Sequence, residues 1–324
     1  MRIAVTGASG HVGANLCPML VEHGYDVNVL FFRDDRAFKD IRVNIFKGSL
    51  TQPETLDAFL TGVDVVINTA AYISVNLNDD RMVYETNVNG TQNLVEKCLR
   101  HGVKRLIHFS SIHAFEADPM DQTLDEQRQL VKKSKFIYDQ TKADSERIVR
   151  AANSAKLETI VLNPTSIIGP RDYKPSLIGR SVVNLYHKKI PALISGGYDF
   201  VDVRDVAFAA MQAITKARPG EKYLLSGKWH SIKEFGDFFS KSSGIKRPWF
   251  ICPMWLAKGS MPFVKPFLSN GIQLLFNKQT IEILQHSHPG ISSAKAEKEL
   301  GFKSRDISES VNDAVQWFKE HKYI

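Results

Sequence analysis

A tyrosine and a lysine set one helical turn apart are the residues best placed for proton chemistry. Tyr138-Asp139-Gln140-Thr141-Lys142 puts Tyr138 and Lys142 at i and i+4, which share one face of a helix. A phenol titrates near pH 10, too weak an acid to work well at neutrality. An ammonium beside it favours phenolate, and a drop of about three units needs only about 4 kcal/mol of differential stabilisation. Upstream, Phe109-Ser110-Ser111 closes a short apolar run, and Ser111 precedes Tyr138 by 27 residues. A hydroxyl there can hold a substrate oxygen while the tyrosine gives or takes its proton. A tyrosine–lysine pair alone is usually a surface pair, so its meaning depends on the rest of the chain.

The rest of the chain supplies a glycine-rich turn. Thr6-Gly7-Ala8-Ser9-Gly10-His11-Val12-Gly13 joins an apolar run at 3–6 to a helical pattern over 11–23 that stops at Gly24. Glycine permits the tight turn, lets backbone N–H groups approach a pyrophosphate and allows close helix–strand packing. The helix N-terminus then meets the anion with unpaired donors and the positive end of its dipole. Gly7, Ser9, Gly10, His11, Val12 and Gly13 are therefore the expected dinucleotide-phosphate contacts, His11 through its N–H more than its ring.

The end of the next strand selects the dinucleotide. An Asp or Glu there accepts the ribose 2′-hydroxyl of NAD. Here Val29-Leu30-Phe31-Phe32 runs into Arg33, whose guanidinium suits a 2′-phosphate, so NADP is the expected cofactor. Asp34 and Asp35 leave NAD open. With an oxidised nicotinamide adding its positive charge near Tyr138, the motifs together imply hydride transfer to or from a small-molecule carbonyl or alcohol.

The elements that must hold these residues are short apolar runs alternating with helical patterns. Strands are expected at 3–6, 26–32, 44–47, 64–69, 105–109 and 157–162, and helices at 11–23, 53–60, 81–100 and 134–152. Continuous apolar strands between helices imply a parallel sheet covered on both faces, an α/β doubly wound (Rossmann) fold. After Asn163-Pro164 the alternation breaks into Pro/Gly-punctuated loops, strands at 200–203 and 222–225, and helices at 176–187, 206–215, 232–241, 279–286 and 308–321. The expected division is a dinucleotide-binding unit over 1–165, with parts of 196–226 returning to it. Residues 166–324 would mainly form a smaller, mostly helical substrate lobe.

Composition narrows the classes. The 324 residues are 43% hydrophobic and 24% charged, a globular mix that excludes disordered and collagen-like architectures. Three scattered cysteines form no CxxC, so a disulfide scaffold or Cys-rich zinc site is not expected. No His/Asp/Glu group has metal-ligand spacing. The chain starts straight into a strand, without the pattern of a secretory signal, and has no long apolar window, so a soluble cytoplasmic protein is the default. The net charge of +7 is concentrated: from Phe238 to Ile281 there is no acidic residue, but six cations, Lys241, Lys246, Arg247, Lys258, Lys265 and Lys278. The remainder is nearly neutral, which argues against nucleic-acid binding. The same stretch holds Phe238, Phe239, Trp249, Phe250, Trp255, Phe263, Phe267 and Phe276. It reads as the core of a small lobe, an apolar substrate pocket or lid, or a membrane-surface patch. Pro253, Pro262 and Pro266 interrupt any long amphipathic helix, which weakens the last.

These motifs resemble the extended short-chain dehydrogenase/reductase family over nearly the whole chain. Supporting segments include 63–71 (VDVVINTAA), 86–91 (TNVNGT) and 163–170 (NPTSIIGP). The resemblance implies that Ser111 is the catalytic serine, Tyr138 the acid/base and Lys142 the pKa-setting, ribose-binding lysine, and that Ala70 and Pro164 line the cofactor. It also implies a homodimer. Segments 175–180 (PSLIGR), 200–207 (FVDVRDVA), 220–225 (GEKYLL) and 295–302 (KAEKELGF) are similar to the dihydroflavonol-4-reductase-like branch. That branch borders 3β-hydroxysteroid dehydrogenases and nucleotide-sugar epimerases with retained NAD, and the superfamily also contains non-catalytic dinucleotide sensors. Two positions depart from the family. Ser49 stands where an Asp usually faces adenine, and Ser111-Ile112-His113 lacks the Asp-Glu pair of the sugar-nucleotide dehydratases. His113 is expected to make a local hydrogen bond more than to face the substrate, and Asn87 reads equally as a residue that positions a water or the helix near the cofactor and as a capping or backbone-bonding asparagine.

Overall fold

The computed structural model describes residues 1–32, 34–73, 80–264, 278–285 and 287–324, with the backbone alone for 261–264, 278 and 279. Arg33 lies outside the described residues, as do Lys265, Phe267 and Phe276.

With strands numbered in chain order, β1 (Arg2–Thr6), β2 (Asp26–Phe31), β3 (Asn44–Lys47), β4 (Val65–Asn68), β5 (Arg105–Phe109), β6 (Glu158–Pro164) and β10 (Lys222–Leu225) form one seven-stranded sheet. The order is β10-β6-β5-β4-β1-β2-β3 and every pairing is parallel. Side chains alternate across a strand, so β1 serves both cores at once. Ile3 and Val5 pack with Leu16 and Leu20 of α1 (His11–Glu22), while Ala4 faces Leu56 and Phe59 of α2 (Leu56–Leu60). This two-sided burial is why the strands read as unbroken apolar runs.

One expected helix is interrupted. The stretch over 81–100 is α3 (Asp80–Tyr84), a π turn at Glu85–Asn89, and α4 (Gly90–Arg100). The polar Asn87 sits in the widened turn, 3% exposed, and its side chain is engaged outside the helix. α5 (Ile137–Ala151) carries the tyrosine and lysine.

The remaining strands form small sheets. β7 (Ser166–Ile168) and β11 (Lys228–Ser231) flank β9 (Gly197–Asp202), and β8 (Leu193–Ile194) pairs with β12 (Ile251–Cys252). Of the stretch 196–226, Lys222–Leu225 rejoins the main sheet, and α7 (Val203–Lys216) packs on α1, whereas β9 belongs to the three-stranded sheet. α6 (Leu177–Tyr186), α8 (Ile232–Ser243) and the terminal helix Ile307–Glu320 bury Val182, Phe235, Phe239, Val311 and Phe318 in a core of their own. No described helix is long and apolar enough to cross a membrane.

Candidate active site

The glycine turn lies where β1 meets α1. Gly7 has φ +65°, and a Cβ there would sit 2.6 Å from the Ala70 nitrogen. A Cβ on Gly13 would come within 2.5 Å of the Ala8 Cα. Both positions are closed to any side chain by backbone packed against them. Gly10 starts α1 without a side-chain cap, so the first-turn N–H groups stay available to an anion. Such a cradle fits a dinucleotide pyrophosphate. The His11 ring does more than expected: its Nε2 lies 3.2 Å from the Gly169 carbonyl and 3.1 Å from that of Pro170, pinning the turn to the segment after β7.

Ser111, Tyr138 and Lys142 converge at the carboxyl end of β5, the edge at which open parallel sheets bind ligands. The Lys142 ammonium is buried, 5.9 Å from the centre of the Tyr138 ring, and donates to the Phe109 carbonyl at 2.8 Å. Burial holds its pKa down at about 8, against support from the Glu146 carboxylate one turn further along α5. For Tyr138 the result runs opposite to the sequence expectation. Burial pushes the phenol up to about 12; a hydrogen bond with Ser111 opposes that shift and the Asp139 charge reinforces it. Desolvation of the phenolate outweighs a lysine whose charge is turned toward a carbonyl.

Of the residues singled out for their neighbourhood, Ala70 donates from its backbone to Asn68 Oδ1 at 3.3 Å, beside the glycine turn, and Pro164 closes β6. Asn87 is a backbone bracket: it accepts from the Tyr72 N–H at 2.7 Å and donates to the Tyr72 carbonyl and Thr141 Oγ1. It ties the chain beyond β4 to α5. The His113 N–H donates to Ser111 Oγ at 3.2 Å, and its ring stands edge-on to Tyr138 with centroids 5.9 Å apart.

Several polar groups here escaped the sequence reading. Thr6, Asn68 and His108 occupy one register row across β1, β4 and β5. Thr6 Oγ1 donates to Asn68 Oδ1 at 2.6 Å, Asn68 Nδ2 lies 3.0 Å from His108 Nδ1, and His108 Nε2 lies 3.4 Å from Ser145 Oγ on α5. Burial, helped by the Lys142 charge, depresses the His108 pKa to about 3, so the ring is neutral. The row links the strand of the glycine turn to the helix of Tyr138. A polar residue at or next to the end of each of β1, β4 and β5 was the available signal. Glu146 is fully buried and accepts from Asn163 Nδ2 at 2.8 Å. Asp139 is also largely buried, and burial raises its pKa. Lys135, just before α5, pairs with Glu282 of the helix Lys278–Gln285, which brings that helix to this edge.

Beyond β2, Asp34 is already occupied. Arg36 donates to Asp34 Oδ1 at 2.9 Å and to Oδ2 at 2.7 Å, and itself meets the Tyr173 carbonyl and the Tyr323 hydroxyl. No group of three or more metal-ligating side chains occurs among the described residues.

A parallel sheet with an uncapped glycine turn at its carboxyl edge, and a buried tyrosine–lysine helix beside it, defines the dinucleotide-dependent oxidoreductase class. The chain belongs to the NAD dependent epimerase/dehydratase family, whose model matches residues 3–226. It is 31% identical over 330 residues to sterol demethylase protein B of Methylococcus capsulatus, covering 100% of both chains. It is 27% identical to a putative dihydroflavonol 4-reductase of Synechocystis, covering 99% of this chain and 95% of that one. The crystal structure of gox2253 matches with a TM-score of 0.86 at 28% identity, over 100% of this chain and 99% of that chain.

Proposed function

We propose that this protein is an NADP(H)-dependent oxidoreductase that interconverts a ketone and a secondary alcohol on an apolar fused-ring skeleton. The convergence of Ser111, Tyr138 and Lys142 beside the glycine turn carries the reading. The skeleton is suggested by the sterol and the dihydroflavonol in the relatives' names. The bound nicotinamide supplies or takes the hydride. In the reducing direction Ser111 holds the carbonyl oxygen and Tyr138 delivers its proton to that oxygen as charge develops there. The high pKa of the phenol in its buried setting keeps it protonated for that task. Lys142 sets the electrostatics of the proton transfer, and Glu146 supports its charge. The row through Asn68 and His108 keeps α5 in place against β1.

The NADP preference is supported by Arg33 in the sequence and by Asp34, whose carboxylate would otherwise accept a ribose hydroxyl but is held by Arg36. Oxidation of NADPH and NADH, followed at 340 nm against steroid, flavonoid and simple cyclic ketones, tests the proposal. Faster turnover with NADPH on fused-ring ketones is expected. Tyr138→Phe should retain NADPH binding and lose turnover by about 10²- to 10⁴-fold. Unchanged turnover in that variant removes Tyr138 from the mechanism.

A further inference from the structure

The hydride-transfer site leaves the composition of the stretch between Phe238 and Ile281 unexplained. Every charged residue in it is a lysine or arginine. Among the described residues, Trp249 is 87% exposed and Trp255 is 73% exposed, the highest values for any large hydrophobic side chain. Phe250, in ring contact with Trp249 at 5.7 Å, is also exposed. Large apolar side chains exposed this far and close together along the chain mark an interaction site. The inward side of the segment is anchored, since Ala257 is buried with Ile194, Ile281 and Leu284. The indoles are therefore not the result of a segment lacking its own core.

The charges identify what meets these rings. Arg247 is neutralised by Asp237 at 2.5 Å. Lys241, Lys246 and Lys258 are exposed, and among the described residues none is paired with a carboxylate; Lys258 donates to Gln285. Indoles favour the polar–apolar boundary of a bilayer, and lysines near them add attraction to anionic headgroups. We propose that Trp249, Phe250 and Trp255, with Lys241, Lys246 and Lys258, form a docking face for an anionic lipid bilayer. Pro248 and Pro253 bracket β12, so the face is a loop and helix start rather than a long interfacial helix. Attachment is peripheral and reversible. The proposal rests on exposure and charge alone and stands or falls separately from the redox chemistry.

Co-sedimentation with vesicles of phosphatidylcholine, with and without phosphatidylserine, tests it. Binding is expected only with phosphatidylserine present, with a blue shift of tryptophan emission, and about 0.5 M salt should weaken it. The double variant Trp249→Ser/Trp255→Ser should lose about tenfold or more in partitioning. Lys241→Gln/Lys246→Gln should lose less and lose its salt sensitivity. Both variants should keep the wild-type melting temperature, NADPH affinity and turnover of a water-soluble ketone. Absence of vesicle binding, or equal binding by the tryptophan variant, overturns the proposal. A lipid-free dimer abolished by Trp249→Ser/Trp255→Ser overturns it in favour of a self-interface. A blue shift produced by ketone and NADPH without vesicles overturns it in favour of a lid.

Discussion

The two edges of the seven-stranded sheet carry similar ionisable residues and put them to opposite uses. At the amino edge Arg2 pairs with Asp26 at 2.7 Å, Lys104 with Asp64 at 2.9 Å and Arg105 with Glu158 at 2.5 Å. These charges neutralise one another near water, where such pairs contribute little. At the carboxyl edge Lys142 and Glu146 are buried and Tyr138 is half-buried. Ser110 Oγ, Glu146 Oε1 and Asn163 Oδ1 are buried there without a hydrogen-bond partner among the described residues. Burial is the difference. Charges at the amino edge satisfy one another, whereas at the carboxyl edge burial holds the Lys142 pKa down at about 8 and pushes the Tyr138 phenol up to about 12.

This contrast makes graded predictions. Lys142→Ala should reduce turnover by about 10²-fold or more, as loss of a group acting in the transition state does; a change under threefold would put the carboxyl edge on the same footing as the amino edge. Gly13→Ala should raise the dissociation constant of the reduced dinucleotide by about tenfold or more, because the methyl group meets Ala8 backbone; fluorescence titration with NADH and NADPH reports it.

The pH dependence follows from Lys142. Turnover should decline as pH rises through about 8, where the ammonium loses its proton. Glu146 holds that proton on, so Glu146→Gln should move the alkaline limb to lower pH while leaving dinucleotide affinity nearly unchanged. A limb that does not move would mean that Glu146 only packs.

Asp199 in β9 extends the test to the small sheet. Burial raises its pKa to about 6, while its carboxylate accepts from the Gly227 N–H at 2.8 Å. A native pKa above the unfolded value means that the group's contribution is most favourable below about pH 4 and is lost as pH rises through about 6. Asp199→Asn keeps an acceptor without the charge. It should therefore stabilise the fold by roughly 1–3 kcal/mol at pH 7.5 and hardly at all at pH 4, measured by thermal melts. Smallest of all, Lys104→Ala at the amino edge should alter stability by less than about 0.5 kcal/mol.

Much of the fold and the spacing of the candidate site residues was legible along the chain because local period and steric rule encode it. A tight turn needs glycine, and two residues four apart share a helix face. Lys222–Leu225 was readable as a strand from its apolar run, and Asn44–Lys47 likewise. The π turn at Glu85–Asn89 was not, since the amino acids of a widened turn also suit an ordinary helix. Nor was the role of the His11 ring, whose partners lie more than 150 residues away.

The amino-acid order by itself determined the parallel sheet, the glycine turn and the tyrosine–lysine pair, because each depends on spacing within a few residues. Packing alone set the direction in which the Tyr138 pKa moves, the row joining Thr6, Asn68 and His108, and the clasp that holds Asp34 through Arg36 to Tyr323. Those depend on which distant groups desolvate or bond one another, and distance through the fold is not written in distance along the chain.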